Sequence, residues 1–343
     1  MSSTVALSSF LPNAGIGRLH FFAQPRLTAL LSAALAAGAA ALLIILAVTG
    51  MVLAPEFANF VLLAAAVGAL AGFCYWRQHP WRLTDSAVVI SVVTLSLLLC
   101  GLVSCTGLRL GLPLADGWLA RGDALVGFDV RMVSEYVAAR PALSSLLHFA
   151  YNISGPLCVV AVGWNLYRGD RLRLWQVVAT IVAAMQITAL LSVLFPAQGA
   201  SVSLGLDALQ GNGLPYGAGT YSAAEFRHFY SGSDVLVTPG DMNGIVCFPS
   251  FHTVMALVIL QGFAASPLKW AAVPWSALTI VSTVPMGGHY VIDLMGGILV
   301  WIVACRLATW ACPFPRSDGD VTSSAPVSLD AINRACVSVN ERP

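Results

Sequence analysis

Eight long apolar runs constrain the fold more than any other feature of this sequence. A run of about 20 apolar residues is long enough to cross a bilayer as a helix. Of the 343 residues, 58% are hydrophobic and 10% are charged. We therefore expect an all-α fold, a polytopic membrane bundle of about eight transmembrane helices. The runs lie at approximately 27–54, 58–76, 86–109, 143–167, 172–195, 249–265, 270–286 and 289–311.

Basic residues indicate how the helices are oriented. Lys and Arg concentrate in short cytoplasmic connections, and here the basic residues of the short connections and the two termini fall in alternate connections. We therefore expect both termini in the cytoplasm and the segments 110–142, 196–248 and 285–288 on the opposite, outer face. Sixteen arginines against one lysine, with Ala-rich helices, are typical of a bacterial chain, so we expect an integral protein of the bacterial inner membrane. The basic residues used here are Arg18, Arg26, Arg77, Arg82, Arg168, Arg171, Arg173, Lys269, Arg306, Arg316, Arg334 and Arg342.

The composition also bears on partners and cofactors. No dense basic stripe with interleaved aromatic residues occurs, so we expect no nucleic-acid partner. The eight cysteines lie mostly inside apolar runs and form neither a C-x-x-C pair nor a ligand-spaced cluster. Buried free cysteine behaves as a small hydrophobic residue. We therefore expect no metal site and no cofactor.

Three regions are expected along the chain. Residues 1–85 form an N-terminal cytoplasmic segment and two accessory transmembrane helices, residues 86–312 form the main membrane core, and residues 313–343 form a polar, disordered cytoplasmic tail.

The two long outer segments differ in character. Within 110–142, apolar residues recur at helical spacing and predict an amphipathic helix in the membrane interface. The segment 196–248 is rich in Gly, Ser and Tyr, and long loops of this kind are usually functional or disordered. The residues at helical spacing are Met132, Val133, Tyr136 and Val137.

Two short segments place a histidine at the start of a predicted helix. His252 opens the sixth run and His289 opens the eighth. Both runs begin on the outer face in the orientation above, so we expect the two histidines at the same depth. The first N–H groups of a helix have no intrahelical partner and carry partial positive charge. Such helix starts bind phosphate.

The spacing around His289 suits a nucleophile. Asp293 follows it by four residues, on the same helix face, and can hold one imidazole nitrogen while the other stays free. Gly287 and Gly288 let a bulky phosphate approach the backbone, and His252 can protonate a leaving oxygen. Ionisable groups at membrane depth are costly and favour a functional role. A transporter or lipid-binding protein, with histidines used for proton coupling or packing, is the alternative.

These residues carry a family resemblance. The stretch P-S-F-H from Pro249 to His252 resembles the P-S-G-H motif of the type 2 phosphatidic acid phosphatase (PAP2) superfamily, and Ser282 with His289 and Asp293 resembles its S-R-x5-H-x3-D motif. Thr283 stands where that superfamily has arginine. This departure is similar to the branch of inositol phosphorylceramide synthase, as are Phe195-Pro196, L-V-G-F-D at 125–129 and G-I-V-C-F-P-S-F-H at 244–252. The resemblance covers roughly residues 110–311.

The resemblance implies roles for the matching residues. His289 attacks phosphorus and forms a phosphohistidine, Asp293 orients it, and His252 is the general acid, inside a six-helix catalytic core that uses no metal. The superfamily's first motif, K-x6-R-P, has no clear counterpart. Arg227 is the one Arg or Lys between Arg173 and Lys269. We take it as the residue that holds phosphate. Backbone N–H groups around Ser250 and Gly288, Arg227 itself, or an arginine of segment 110–142 could replace the missing arginine.

The implied activity leaves two alternatives open. The branch resemblance favours an inositolphosphotransferase-like enzyme that moves a phosphate-containing headgroup from a phospholipid to a lipid alcohol acceptor. Hydrolysis of a lipid phosphate by a phosphatase of the same superfamily is the second. In both, the substrate is a phospholipid or lipid phosphate taken from the bilayer.

Overall fold

The computed structural model describes residue 21, residues 24–242 and residues 244–313. Within these residues the chain forms twelve α-helices and two two-residue strands. The helices are α1 Pro25–Thr49, α2 Phe57–Trp76, α3 Trp81–Gly107, α4 Asp116–Leu125, α5 Val130–Ala138, α6 Pro141–Arg168, α7 Arg171–Leu194, α8 Ala200–Ser203, α9 Ala223–Ser231, α10 Phe251–Phe263, α11 Lys269–Gly287 and α12 Val291–Ala311; the strands are β1 Val52–Leu53 and β2 Leu236–Val237.

The predicted all-α membrane bundle is confirmed. Six of the eight predicted runs form helices long and apolar enough to cross a membrane, namely α1, α2, α3, α6, α7 and α12. The other two runs form α10 and α11 at the predicted positions. Helix α10 has only 13 residues, about 20 Å at 1.5 Å per residue, which is shorter than the hydrocarbon core of about 30 Å. Helix α11 has 19 residues and contains Pro274 and Pro285.

Helix α7 lies at the centre of the bundle. Every residue from 174 to 186 is buried, as expected for a helix that is apolar on all sides. It packs against α1, α3, α6, α10 and α12. The short helix α10 therefore borders a central helix that supplies no exposed polar face.

Polar contacts place several helix ends at the same end of the bundle. Arg171 at the start of α7 forms a buried ion pair with Asp85 near the start of α3, with N–O distances of 2.8 and 2.9 Å. Arg82 bonds the last carbonyl groups of α6, and Gln176 bonds the carbonyl O of Cys312 after α12. The start of α12 therefore lies at the opposite end. Which membrane face each end occupies stays a prediction.

Segments 110–142 and 196–248 contain more secondary structure than their sequence predicts. Segment 110–142 contains two helices, α4 and α5. In α5, Val130 and Val137 are buried while Met132 and Tyr136 are exposed. A helix is thus present at the predicted position, and its place in the membrane interface stays a prediction. Segment 196–248 contains α8, α9 and β2, which pairs in parallel with β1. The division into three regions stays a prediction, and residues 1–20 and 314–343 lie outside the described part of the chain.

Candidate active site

Helix α10, which carries His252, and helix α12, which follows His289, begin side by side. The backbone N–H of Ser250, the N-cap of α10, donates to the carbonyl O of Asp293 in α12 at 3.0 Å. Gly296 and Gly297 of α12 face this segment, and a Cβ at Gly297 would overlap the carbonyl O of Ser250. The absence of side chains there lets the P-S-F-H segment pack directly on α12.

His289 and Asp293 form the buried pair that their spacing predicts. With the proton on Nδ1, His289 donates to Asp293 Oδ2 at 3.2 Å, and the two side chains are 2% and 0% exposed. The N–H of Tyr290 donates to the same Oδ2 at 2.9 Å. The other ring nitrogen, Nε2, makes no hydrogen bond within the described residues. The carboxylate thus fixes the ring and leaves Nε2 available to react.

Cys247 adds a third partner to this pair. Its Sγ lies 3.1 Å from Asp293 Oδ2 and 3.8 Å from His289 Nδ1. Burial raises the pKa of Cys247 well above its usual value, so the thiol stays protonated and donates to the carboxylate. Asp293 Oδ1 is buried and has no partner among the described residues. The sequence interpretation of the cysteines as small hydrophobic residues missed this role.

His252 lies against a tyrosine that also reaches His289. The rings of His252 and Tyr151 of α6 stack with centroids 3.9 Å apart. A Cβ at Gly287 would lie 2.7 Å from His289 Cδ2 and 3.0 Å from the Tyr151 ring, so Tyr151 borders both histidines. Its hydroxyl pairs with that of Tyr221 at 3.0 Å. The structure therefore brings His252 and His289 to one place, and neither tyrosine was identified from the sequence.

A carboxylate from α4 occupies the start of α12. Asp123 accepts hydrogen bonds from the N–H groups of Val291 at 3.1 Å and Ile292 at 3.0 Å. Burial raises the pKa of Asp123, and these two bonds oppose that rise. The first N–H groups of α12 are therefore already paired, and the helix start itself offers no free donor to phosphate.

The start of α10 differs in this respect. The Ser250 side chain accepts from the N–H of Thr253 at 3.4 Å, and the Ser250 N–H is taken by Asp293. The N–H groups of Phe251 and His252 make no hydrogen bond within the described part of the chain. Of the two helix starts, α10 is the one that keeps unpaired donors beside the histidines.

Gly288 forms the turn between α11 and α12. Its φ of +70° lies in the left-handed region, and a Cβ there would overlap the carbonyl O of Gly219, so the turn requires glycine. Its N–H donates to Val284 O at 3.1 Å, and its carbonyl O accepts from Ala200 N at 2.7 Å. The predicted contact between Gly288 and phosphate stays a prediction, since its N–H is already engaged in this structure.

Asp116 joins segments 110–142 and 196–248 to the same turn. Its carboxylate accepts from the N–H groups of Gln198 and Gly199, each at 3.0 Å, from Ser203 Oγ at 2.9 Å and from the Tyr290 hydroxyl at 3.2 Å. Segments 110–142 and 196–248 are thereby joined next to His289.

Among the described residues, Arg227 makes no contact with His252 or His289. Arg227 is exposed on α9, and its guanidinium makes no hydrogen bond or ion pair with the described residues. Thr283, in the position of the superfamily's arginine, is buried and donates to Ile280 O at 2.6 Å. Within the described residues, no Lys or Arg side chain bonds to His252, His289 or Asp293. The role of Arg227 stays a prediction.

Three potential metal ligands meet at the site. Cys247 Sγ, His289 Nδ1 and an Asp293 oxygen lie within 4.8 Å of one another, a cluster that the sequence spacing did not reveal. The same three atoms also form the hydrogen-bonded group described above. A metal there would have to displace those hydrogen bonds.

Comparison with known proteins gives one match. Residues 117–307, more than half of the chain, match the family model described as the PAP2 superfamily. No curated protein and no solved structure matches the chain. The matched region contains every residue of the site described above except Asp116.

Replacing Cys247 tests whether its hydrogen bond to the Asp293 carboxylate contributes to the site. We expect Cys247→Ala to lower kcat on a lipid phosphate about 10- to 100-fold, because a hydrogen bond to a charged group is worth roughly 1.5–3 kcal/mol. Cys247→Ser keeps a donor and should recover most of that loss. The control is Cys305→Ala, which replaces a cysteine in the C-terminal half of α12, away from the site. Equal activity of the Ala and wild-type proteins would remove Cys247 from the site.

Turnover should not require a metal ion, because the three ligand-type atoms already satisfy one another by hydrogen bonding. Purified protein is expected to hold no stoichiometric metal by elemental analysis and to keep its activity in a chelator. Activity that is lost in the chelator and restored by a divalent ion would show instead that the cluster is a catalytic metal site.

Proposed function

Because the chain belongs to the PAP2 superfamily, we propose that it is a membrane phosphotransferase similar to inositol phosphorylceramide synthase, moving a phosphate-containing headgroup between lipids. Membership of this superfamily indicates phosphatase or phosphotransferase chemistry on lipids. The observation that carries the finer proposal is the buried His289–Asp293 pair, which lies directly beside the start of α10 with its His252.

In the first step, Nε2 of His289 attacks the phosphorus of a phospholipid. The bond from phosphorus to the oxygen of the lipid alcohol breaks, and His252 gives that oxygen its proton. The lipid alcohol leaves, and the headgroup phosphate stays on His289 as a phosphohistidine. Asp293 holds the Nδ1 proton and offsets the charge that develops on the ring.

In the second step, an acceptor alcohol such as ceramide or diacylglycerol replaces the departed one. His252 takes the hydroxyl proton, the acceptor oxygen attacks phosphorus, and the P–N bond to His289 breaks. The protonation states of both histidines are then restored. Water in the acceptor position would give hydrolysis, the lipid phosphatase alternative, by the same two steps.

The start of α10 supplies stabilisation for the phosphoryl oxygens. The N–H groups of Phe251 and His252 lie at the positive end of a helix and are unpaired within the described residues. Preorganised donors of this kind are among the largest contributions to catalysis. Arg227 is proposed to add the cationic charge that Thr283 cannot provide.

The short α10 also sets the depth of the site. If its C-terminal end lies near one membrane surface, a helix of about 20 Å places His252 about 10 Å below the other surface of a core about 30 Å thick. A lipid headgroup can then reach the histidines from the bilayer without leaving it. This depth favours a lipid substrate over a soluble phosphate ester.

Loss of His289 should abolish turnover. We expect His289→Ala to lower kcat by at least about 1,000-fold, because it removes the nucleophile, and Asp293→Asn to keep weak residual activity, because the nucleophile survives without its orienting charge. Release of phosphate and formation of new phospholipid are both followed in detergent. His79→Ala, at an exposed histidine in the connection before α3, is the control, with extracted yield as the measure of folding.

A transporter or binding protein makes the opposite prediction for the same variants. If the protein is a transporter, the wild type has no phosphate chemistry to lose. His289→Ala would then change only transport or binding. Wild-type turnover in Asp293→Asn would remove Asp293 from the mechanism while leaving the enzyme in place.

Replacing Arg227 tests the proposed phosphate contact. We expect Arg227→Gln to lower kcat/KM about 100-fold, the usual cost of removing one donor to a developing charge. Arg306→Gln, at an exposed arginine of α12, is the matched control. If the two variants have the same activity, Arg227 is an exposed surface charge of α9 and the cation must come from elsewhere.

A further inference from the structure

Two tyrosine hydroxyls, of Tyr151 and Tyr221, lie beside the histidines. Phosphoryl transfer places negative charge on the oxygens around phosphorus, and proteins offset that charge with cations or with preorganised hydrogen-bond donors. Within the described residues, no Lys or Arg side chain bonds to His252 or His289. A phenol hydroxyl is a donor that carries no charge, so the two tyrosines can supply stabilisation where a cation is missing.

The Tyr151 hydroxyl lies on the reactive side of His289. A Cβ at Gly287 would lie 2.7 Å from His289 Cδ2 and 3.1 Å from the Tyr151 hydroxyl oxygen, so these two atoms approach each other across the glycine. Cδ2 is bonded to Nε2, the ring nitrogen that the hydrogen bond to Asp293 leaves free. The hydroxyl is therefore close to a phosphoryl group that approaches Nε2.

The Tyr151 ring is held in place by His252. The two rings stack with their centroids 3.9 Å apart and their planes at 17°. Tyr151 is only 7% exposed, so its ring has little freedom and its hydroxyl has a fixed position. A donor that is fixed before the reaction needs no reorganisation when charge develops on the substrate.

Tyr221 extends this donor into a chain of two hydroxyls. Its oxygen lies 3.0 Å from the Tyr151 oxygen, and either hydroxyl can be the donor. When Tyr221 donates, the Tyr151 hydrogen is free for another acceptor, because neither hydroxyl makes a further hydrogen bond to the described part of the chain. A hydroxyl that accepts one hydrogen bond donates more strongly in the next. Both tyrosines and His252 border a cavity of about 510 Å³, which leaves space for a phosphate group to reach them.

A neutral donor also suits the depth of this site. Tyr151 lies in α6, a helix long and apolar enough to cross the membrane, about 15 Å along the helix from Pro141. A cation buried at that depth would lose its hydration and would need a carboxylate partner, whereas a hydroxyl is much less costly to bury. Thr283, at the position of the superfamily's arginine, already donates its hydroxyl hydrogen to Ile280 O.

We propose that Tyr151 is a further catalytic residue, whose hydroxyl donates a hydrogen bond to a phosphoryl oxygen as negative charge develops there. Tyr221 is a positioning residue that orients and polarises this hydroxyl. The proton stays on Tyr151 throughout, so the tyrosine forms and breaks no covalent bond. The inference rests on the proposed function, and the hydroxyl acts together with the unpaired N–H groups of Phe251 and His252.

Removing each hydroxyl while keeping its ring tests the proposal. We expect Tyr151→Phe to lower kcat on a lipid phosphate about 100-fold and to change KM less than about threefold, because the lost bond strengthens only in the transition state. Tyr221→Phe should lower kcat about tenfold, the value of one neutral hydrogen bond. The double variant should be no slower than Tyr151→Phe, because the two hydroxyls act as one chain.

The matched control is Tyr167→Phe, at an exposed tyrosine near the opposite end of α6. It should keep wild-type kcat and KM. The extracted yield of each variant in detergent measures folding.

Inhibition by orthovanadate gives a second readout. Vanadate adopts the five-coordinate geometry of the phosphorus atom under attack, and transition-state analogues use the same contacts as the transition state. Its inhibition constant should rise in Tyr151→Phe by about the factor by which kcat/KM falls. The inhibition constant of inorganic phosphate, a ground-state ligand, should change less than about threefold.

Three outcomes would overturn the inference. Wild-type kcat in Tyr151→Phe would leave the tyrosine only a packing role against His252. A change confined to KM would show a ground-state contact, and losses that multiply in the double variant would show two independent hydroxyls. Turnover that depends on His289 but not on Tyr151 refutes only this inference. Turnover that is independent of His289, or no turnover on any lipid phosphate, refutes the proposed function as well.

Discussion

The N–H groups at the start of a membrane helix must find partners, and this constraint organises the site. At the start of α12 the partners come from the protein: Asp123 bonds Val291 and Ile292, and Asp293 bonds Tyr290. The start is therefore rigid, and the His289 ring that precedes it is held in one orientation. At the start of α10 the N–H groups of Phe251 and His252 remain unpaired within the described residues. One helix start thus fixes His289, the proposed nucleophile, and the other keeps donors that we propose for the substrate.

Segments 110–142 and 196–248 contribute to this arrangement although they supply neither histidine. Asp116 gathers residues 198–203 and the Tyr290 hydroxyl around one carboxylate. The turn at Gly288 lies so close to Gly219 that no larger side chain fits. These contacts join three stretches of chain that are far apart in sequence. Segments 110–142 and 196–248 therefore hold the turn that carries His289.

Much of the fold and the centre of the site follow from the sequence. The apolar runs predict the positions of eight helices, six of them long enough to cross a membrane, and the spacing of four residues predicts the His289–Asp293 pair. Asp123, Cys247 and Tyr151 could not be assigned roles in this way. They reach the pair from other elements, up to 169 positions away, and no local pattern marks such contacts. The shortness of α10 was also missed, because apolar residues continue beyond both of its ends.

Arg227 shows the limit of reasoning by elimination. It was chosen because no other Arg or Lys lies between Arg173 and Lys269, yet its guanidinium is exposed on α9 without a described partner. The sequence could count the cations of that stretch but could not place them. The structure instead directs attention to the unpaired donors of α10, which carry partial charge without any cationic side chain. The two contributions are compatible, since α10 can bind the phosphoryl oxygens whether or not Arg227 approaches.

The most direct test of the account is the stereochemical course at phosphorus. A donor lipid with a chiral phosphorothioate is converted by the purified protein, and the configuration of the product is determined. Attack by His289 followed by attack of the acceptor consists of two in-line displacements, each of which inverts the centre, so the account predicts net retention. Net inversion would mean a single direct transfer from donor to acceptor and would contradict the phosphohistidine at His289.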